Sequence, residues 1–449
     1  MVAGLVLLVL VLAAAAGVGG YAVTAALRHP PPASPPPPTP RAYVQAGASP
    51  SAPPSAAPGT PPTAAGLARA LAPLLHGAGL GPRVRADVID VAGGTALFTR
   101  APGAPAAPAS TAKLLTAAAV LAVRPATYRI PTTVRRGAGG AIVLVGGGDP
   151  TLTGAPAGTP GDYPGAARIS DLAAQLRRGG VRPSRIVVDD SLFTGPSVSP
   201  AWAPEDVPSD YGAAITAAMV DGGRAAVGDA VRSAHPDLAA GHRLADALGA
   251  PGLPVVLGRA PAGAATLATV VSAPLAMLVE QMLQASDNVI AECLARQVAL
   301  ARHRPAGFTT AAAAVREVLR GLGVDPGAGL VDGSGLAASD RVPAAALAGV
   351  LRLAARTPRL RDVIAGLPVA AWSGTLAGRY LTGAARAGAG VVRAKTGTLT
   401  GVSTLAGLVH DRSGRLLAFA FMADRAGATP AAEAALDAVA ARLAGCGCG

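Results

Sequence analysis

The chain has 449 residues but only two lysines, Lys113 and Lys395, and a single asparagine, Asn288. Lysine and arginine together number 38, so the remaining 36 basic residues are arginines. A sequence that uses arginine as its ordinary cation is expected to keep lysine only where arginine cannot serve. The same reasoning applies to the one asparagine. These three positions are therefore the first candidates for a functional site.

Aromatic residues are also scarce, at 3% of the chain, so the core must be packed mainly with alanine, valine and leucine. The formal net charge is +12, but the arginines are scattered, and the densest groups are pairs such as Arg135-Arg136 and Arg177-Arg178. Nucleic-acid binding needs a concentrated basic surface with interleaved aromatics. We therefore expect no nucleic-acid partner, and a solvated basic surface near an anionic cell envelope instead.

The three cysteines are too few for a disulfide framework and lack the spacing of metal ligands. Cys293 lies in an apolar helical run and is expected to be a buried thiol. Cys446 and Cys448 lie in a glycine-rich tail, for which we expect a frayed terminus, with a redox or metal role as the alternative. No metal site is predicted.

Residues 2–27 contain no charged side chain. That length can span a bilayer and also suits a secretory signal, so residues 1–28 are predicted to be a signal peptide or an N-terminal transmembrane anchor. An uncleaved anchor is favoured because no clear cleavage site follows a short apolar core. Residues 29–62 form a proline-rich linker that should run as extended polyproline, at ~3.1 Å per residue.

The folded part alternates strand and helix patterns and is predicted to be an α/β (α+β) protein. Strand patterns occur near both chain ends, at residues 83–90, which alternate, and 95–100, and again at 391–398, 404–409 and 416–422. Residues 109–123 form a helix that is apolar on nearly all sides, as a buried helix is. We predict a central antiparallel sheet flanked by helices, in a catalytic domain of residues 63–145 and 265–445. Residues 146–264 are predicted to be an inserted accessory domain.

Ser110-Thr111-Ala112-Lys113 opens the buried helix and places two reactive groups one turn apart. A serine hydroxyl becomes a nucleophile when a nearby base takes its proton, and a lysine in a water-poor pocket has a lowered pKa that suits it to this task. The alternative is a helix cap with a solvated lysine. It is weakened because Lys113 is one of two lysines and sits in an apolar helix, where a stray charge is costly.

Ser286-Asp287-Asn288 lies between two predicted helices. Serine, aspartate and asparagine are the preferred helix caps, so a cap is the simple interpretation. The only asparagine of the chain stands here, however. A side-chain amide can donate to a substrate carbonyl while it accepts from an ammonium group.

Lys395-Thr396-Gly397-Thr398 ends an alternating strand. A glycine in a strand marks the close approach of another backbone. The charge of Lys395 and the hydroxyls of Thr396 and Thr398 suit a terminal carboxylate. An ordinary edge-strand lysine is the alternative, weakened because this is the other of the two lysines.

The three motifs in this order resemble the penicillin-recognising serine enzymes. Further stretches resemble the D-alanyl-D-alanine carboxypeptidase/endopeptidases of the DacB type, a low-molecular-mass penicillin-binding protein family. These stretches are residues 146–152, 332–336, 367–370, 374–376 and 402–407. The resemblance covers roughly residues 84–424 and implies a penicillin-binding transpeptidase/β-lactamase-like fold. Ala337 departs from it, since a serine is expected there.

This resemblance implies an exported enzyme that cleaves D-alanyl-D-alanine ends or cross-links of peptidoglycan stem peptides. Ser110 would form an acyl-enzyme, with Lys113 as its general base. β-Lactams would be covalent inhibitors, and no metal or organic cofactor would be needed. The remaining implied roles are proton relay for Ser286 with Lys395, amide binding for Asn288, and carboxylate binding for Thr396, Gly397 and Thr398.

Two other functions are alternatives to the serine peptidase. A class A β-lactamase of the same fold needs a Glu-x-x-x-Asn motif, and the only asparagine already belongs to Ser286-Asp287-Asn288. A non-catalytic penicillin-sensing or wall-binding module would not need all three motifs intact. The serine peptidase is therefore the prediction.

Overall fold

A computed structural model describes residues 62–449. Its helices are α1 (Ala64–Leu71), α2 (Lys113–Val123), α3 (Ile169–Arg178), α4 (Pro236–Leu248), α5 (Leu275–Ala285), α6 (Asn288–Ala301), α7 (Phe308–Gly321), α8 (Ala344–Arg356), α9 (Arg361–Ala365) and α10 (Thr429–Ala444).

The strands are β1 (Val84–Asp90), β2 (Ala96–Arg100), β3 (Pro105–Ala106), β4 (Pro131–Arg136), β5 (Ile142–Val145), β6 (Ile186–Asp189), β7 (Val255–Leu257), β8 (Thr266–Val271), β9 (Val342–Pro343), β10 (Arg393–Leu399), β11 (Val402–His410) and β12 (Leu416–Ala423).

The central sheet is built from both ends of the chain, as predicted. Its order is β10-β11-β12-β1-β2, and every neighbouring pair is antiparallel. Successive side chains of a strand point to opposite faces of the sheet. Nearly every residue of β12 is buried, so both faces of this strand are covered. Leu417, Phe419 and Phe421 pack into one hydrophobic cluster with helix α10, whereas Ala418 and Ala420 face a second cluster around α2. The sheet thus separates two helical layers.

Helix α2 lies in the middle of the second cluster, and all of its residues from Lys113 to Leu121 are buried. This confirms the prediction of a helix that is apolar on nearly all sides. The small side chains of Ala117, Ala118 and Ala119 are fully buried there. A core with so few aromatic residues is therefore filled by closely packed helices around α2.

A second sheet has the order β7-β6-β5-β4-β8, with β5, β6 and β7 parallel to one another and β4 antiparallel to both its neighbours. Helices α3 and α4 share a hydrophobic cluster with it. The predicted accessory domain was bounded at 146–264, but β4, β5 and β8 lie outside those bounds and pair within this sheet. We therefore propose residues 131–271 as the inserted unit, called the insertion below.

The C-terminal tail is packed against the folded part rather than frayed. Cys446 is completely buried and is joined to Cys448 by a disulfide, and the Thr63 N–H donates to the carbonyl of Cys448 at 2.8 Å. Cys293 is a buried free thiol, as predicted. The predicted signal or anchor lies outside the described residues. Within residues 62–449 no helix is both long and apolar enough to cross a membrane.

A buried ion pair joins the insertion to Asp287, the residue that precedes helix α6. Arg232 Nη2 lies 3.0 Å from Asp287 Oδ2, and both side chains are about 5% exposed. Burial alone would raise the pKa of Asp287, but the charge of Arg232 and several hydrogen bonds outweigh it and lower the pKa from 3.8 to about 2. Asp287 is therefore ionised at neutral pH inside the protein.

Removing Arg232 is predicted to destabilise the fold in a pH-dependent way. Arg232→Met leaves a buried carboxylate without its cation, which typically costs about 3–5 kcal/mol. With burial no longer outweighed, the pKa of Asp287 rises, and a proton can relieve the charge as the pH falls. The deficit relative to wild type, measured by urea unfolding, should therefore be largest near pH 7 and shrink toward pH 4.

The exposed pair of Arg320 and Asp325 offers a matched control. Arg320→Met should lower the stability far less than Arg232→Met, because solvent screens an exposed pair. A deficit for Arg232→Met that is equally small, or that does not change with pH, would contradict the prediction.

Candidate active site

Ser110 and Lys113 lie where a single 3₁₀ turn, Ala109–Ala112, leads into helix α2. Lys113 Nζ lies 2.8 Å from Ser110 Oγ. The lysine is fully buried and the serine is half-buried. A solvated lysine beside a helix cap does not fit this arrangement. The hydroxyl is instead accessible on one side and in contact with a buried amine on the other.

The Ser286-Asp287-Asn288 motif serves as a helix cap and also faces the site. Ser286 ends α5 in the left-handed region, with φ of 57°. Asp287 caps α6, accepting hydrogen bonds from the N–H groups of Val289 and Ile290 at 2.8 and 3.0 Å. Because the aspartate supplies the cap, Ser286 and Asn288 are free for other partners.

Asn288 binds Lys113 directly, since its Oδ1 accepts a hydrogen bond from Lys113 Nζ at 2.6 Å. Its Nδ2 donates to the carbonyl of Tyr211, in the insertion, at 3.1 Å. The amide has two N–H groups, and one remains for another acceptor. This arrangement explains why an amide stands here, because aspartate could not donate to Tyr211.

The second lysine contacts the second serine. Lys395 Nζ lies 2.9 Å from Ser286 Oγ and 2.8 Å from the carbonyl of Thr396. Lys395 belongs to β10, the edge strand of the central sheet, yet it is fully buried. An ordinary exposed edge-strand lysine is therefore not what the structure contains.

The rest of strand β10 borders Ser110. A Cβ atom added to Gly397 would lie 3.0 Å from the backbone nitrogen of Ser110 and 2.8 Å from the carbonyl oxygen of Pro108, so only glycine fits there. Thr396 is buried, and its hydroxyl lies 2.8 Å from that of Thr375. Thr398 is exposed, and its hydroxyl lies 3.3 Å from Glu433 Oε1.

Three of the motif residues, Ser286, Asn288 and Thr398, line a cleft of about 1000 Å³. Residues of the 201–211 segment of the insertion also line it. Charges of both signs are present, including Arg341 and Glu205. The cleft is large and polar enough for an extended peptide.

Both lysines have pKa values below the ordinary 10.5. Burial lowers the pKa of Lys113 to about 8, against the opposing effect of nearby carboxyl groups, of which Asp332 is the largest. Burial, and then the charge of Lys113, lower the pKa of Lys395 well below 10.5. Part of the Lys113 population is therefore unprotonated near neutral pH, which places a neutral amine beside Ser110.

The structure brings the predicted residues together and adds several that sequence reasoning missed. Asp332 accepts hydrogen bonds in the loop that contacts Lys113, and Tyr163 and Arg232 both bind Asp287. Trp202 donates to Asp332 at 2.8 Å. One available signal was that Trp202 is one of only two tryptophans. Among residues 62–449, no cluster of three or more His, Cys, Asp or Glu residues could hold a metal ion.

Comparison with known proteins gives consistent matches. The D-Ala-D-Ala carboxypeptidase 3 (S13) family matches residues 67–228 and 225–443. A carboxypeptidase of Mycobacterium tuberculosis is 44% identical over 425 residues, covering 91% of this chain and 92% of that protein. Carboxypeptidase DacB of Mycolicibacterium smegmatis is 44% identical over 419 residues, covering 91% and 90%.

The structure of penicillin binding protein 4 from Haemophilus influenzae is similar, with a TM-score of 0.67 at 22% identity, covering 85% of this chain and 97% of that one. The same protein complexed with a β-lactam gives a TM-score of 0.60. This likeness confirms the fold predicted from the sequence.

The presence of only two lysines makes the pKa shifts directly measurable. Protein labelled with ¹³C at lysine Cε should give two resonances, assigned by Lys113→Arg and Lys395→Arg. Lys113 should titrate near pH 8 and Lys395 also well below 10.5, because burial disfavours the charged amine. A resonance that titrates near 10.5 would show that its lysine is not desolvated as described.

Proposed function

Because this chain belongs to the D-Ala-D-Ala carboxypeptidase 3 (S13) family, we propose that Ser110 is the nucleophile of its reaction. The chain is a serine-type D-Ala-D-Ala carboxypeptidase that acts through an acyl-enzyme. The observation that carries the assignment is the 2.8 Å contact between Ser110 Oγ and the buried amine of Lys113.

In the proposed first step, Ser110 Oγ attacks the carbonyl carbon of the penultimate D-Ala. Neutral Lys113 takes the hydroxyl proton, for which it is poised by burial. The backbone N–H groups of Ser110 and Thr398 are proposed to stabilise the oxyanion, a contribution typically of ~3 kcal/mol per donor. The tetrahedral intermediate then collapses by breaking the bond to the terminal D-Ala.

The leaving amine needs a proton, and we propose that the proton taken by Lys113 reaches it through Ser286, which acts as a relay assisted by Lys395, 2.9 Å away. Asn288 holds the substrate amide through its remaining N–H. Thr396, Gly397 and Thr398 are proposed to receive the terminal carboxylate, with Lys395 supplying positive charge nearby. Water then hydrolyses the ester of Ser110, releasing the shortened peptide and restoring the hydroxyl.

We extend the proposal to D-Ala-containing cross-links of peptidoglycan. The attacked carbonyl belongs to the same penultimate D-Ala, and the cleft of about 1000 Å³ has room for a longer leaving group. The substrate is outside the cytoplasm, so residues 1–28 are proposed to direct export, as a signal peptide or as a membrane anchor followed by the 29–62 linker.

A fluorescent penicillin is predicted to label the protein at Ser110. The β-lactam carbonyl mimics the scissile amide, and its carboxylate mimics the D-Ala terminus. Peptide mapping should place the adduct on Ser110, and purified protein should release D-Ala from a pentapeptide. An adduct on another residue would refute the assignment, and labelling without release would indicate a sensor. In cell fractions, a labelled band among the membranes supports the anchor and a soluble extracellular band supports the cleaved signal.

The two lysine-to-arginine variants are predicted to differ. Arginine stays protonated in proteins and cannot act as a base, so Lys113→Arg should lower penicillin acylation by about 10²–10⁴-fold. Lys395→Arg keeps the positive charge near the carboxylate site, so part of the rate should remain. Each variant controls for the other, since both place the larger guanidinium at a fully buried position. Wild-type acylation by Lys113→Arg would exclude Lys113 as the base.

A further inference from the structure

The amine of Lys113 is held by three oxygen acceptors, and one of them belongs to a loop with no role in the mechanism above. Besides Ser110 and Asn288, Lys113 Nζ donates to the backbone carbonyl of Ser334 at 2.8 Å. Ser334 lies in residues 332–337, called the Asp332 loop below. An ammonium group has three donors, so the position of this loop helps to fix the direction of the amine.

The Asp332 loop is organised by the carboxylate of Asp332, which is completely buried. Its Oδ1 accepts from the N–H groups of Ser334 and Gly335 at 3.0 and 2.6 Å. Its Oδ2 accepts from the N–H of Ala337 at 2.8 Å. Three backbone bonds to one carboxylate bend the loop and aim the Ser334 carbonyl at Lys113.

The fourth donor to Asp332 comes from the insertion. Trp202 Nε1 donates to Asp332 Oδ2 at 2.8 Å, and the indole packs edge-on against Phe308 with ring centroids 5.1 Å apart. Four donors match the capacity of a carboxylate. The neighbours of this tryptophan, Ala201 and Ala203, line the cleft. A segment of the cleft wall is thereby tied to the loop that holds the amine.

We propose that Asp332 and Trp202 are positioning residues for Lys113, so that the insertion completes the active site instead of serving as an accessory. The inference rests on the proposed role of Lys113 as general base. Asp332 acts through the Ser334 carbonyl and through its own charge, and Trp202 acts through Asp332.

Of the carboxyl groups around Lys113, Asp332 is the one whose removal should change the pKa of Lys113 most. Asp287 is paired with Arg232, and Glu292 is paired with Arg296 at 3.3 Å. Burial also raises the pKa of Glu292 to about 7. Burial, and then the neighbouring Asp332, raise the pKa of Asp340 to about 10, so Asp340 is neutral at pH 7. The charged or titratable groups that face Lys113 from the surrounding elements are Asp287, Glu292, Asp332, Asp340 and Lys395.

The test is the pH profile of penicillin acylation. In wild type the rate should rise with pH through about 8, as Lys113 loses its proton. Asp332→Asn removes a negative charge that favours the protonated amine, so the rise should move to lower pH. The maximal rate should fall at least about tenfold, because asparagine keeps only one acceptor oxygen and turns its own NH₂ donor toward the N–H groups of the loop. A loop with only a structural role would lower the rate without moving the rise.

Trp202→Phe provides a second, milder variant should Asp332→Asn fail to fold. Phenylalanine keeps the contact with Phe308 but removes the N–H that partly offsets the Asp332 charge. The rise should therefore move to higher pH, opposite to Asp332→Asn, with a maximal rate reduced about three- to tenfold. Trp372→Phe is the matched control, since Trp372 is the only other tryptophan and is 80% exposed; its profile should match wild type.

Wild-type profiles for both Asp332→Asn and Trp202→Phe, or slower acylation with an unmoved rise in both, would overturn the inference. If the inference is overturned in this way while Lys113→Arg is inactive in the same assay, the general-base assignment stands and only the positioning proposal has failed. If Lys113→Arg acylates normally, the general-base assignment has failed and the positioning proposal fails with it.

Discussion

The burial of one amine, that of Lys113, is the constraint on which the rest of the site depends. A buried ammonium group is costly unless each of its hydrogens has an acceptor. Here Ser110, Asn288 and Ser334 supply three oxygens at 2.6–2.8 Å. These residues come from three distant parts of the sequence, so satisfying this amine requires the turn before α2, the start of α6 and the Asp332 loop to meet. Packing and chemistry are therefore linked at a single nitrogen atom.

The same linkage extends across the two sheets. The insertion supplies the Tyr211 carbonyl to Asn288 and the Arg232 side chain to Asp287. Asp287 in turn caps helix α6, whose first residue is Asn288. A change in the insertion can thus alter the orientation of the amide that binds Lys113. The central sheet carries Lys395 and Gly397, but the site also includes residues of the insertion.

Much of this was predictable from the sequence, and the physical reasons are specific. Strand patterns near both chain ends predicted the central sheet. The scarcity of lysine and asparagine singled out Lys113, Asn288 and Lys395. The predicted bounds of the insertion differ from the 131–271 that we propose, because a strand pattern does not reveal which sheet β4, β5 and β8 join. The partnership of Trp202 with Asp332, 130 residues apart, follows from tertiary packing and left no local pattern in the sequence.

The charges around Lys113 explain how a buried lysine can have a lowered pKa among several carboxyl groups, as its proposed role as a base requires. Four carboxyl groups surround Lys113, and four full negative charges would hold the proton on the amine. Asp287 and Glu292 are each offset by a buried arginine, and Asp340 is neutral. The hydrogen bonds to Asp332 disperse the remaining charge over four N–H groups. Burial therefore outweighs attraction, and the pKa of Lys113 settles near 8 instead of rising above 10.5. An arginine in its place would stay protonated whatever its surroundings, so it could not take the proton of a hydroxyl. This is a physical reason for a chain rich in arginine to keep a lysine at position 113.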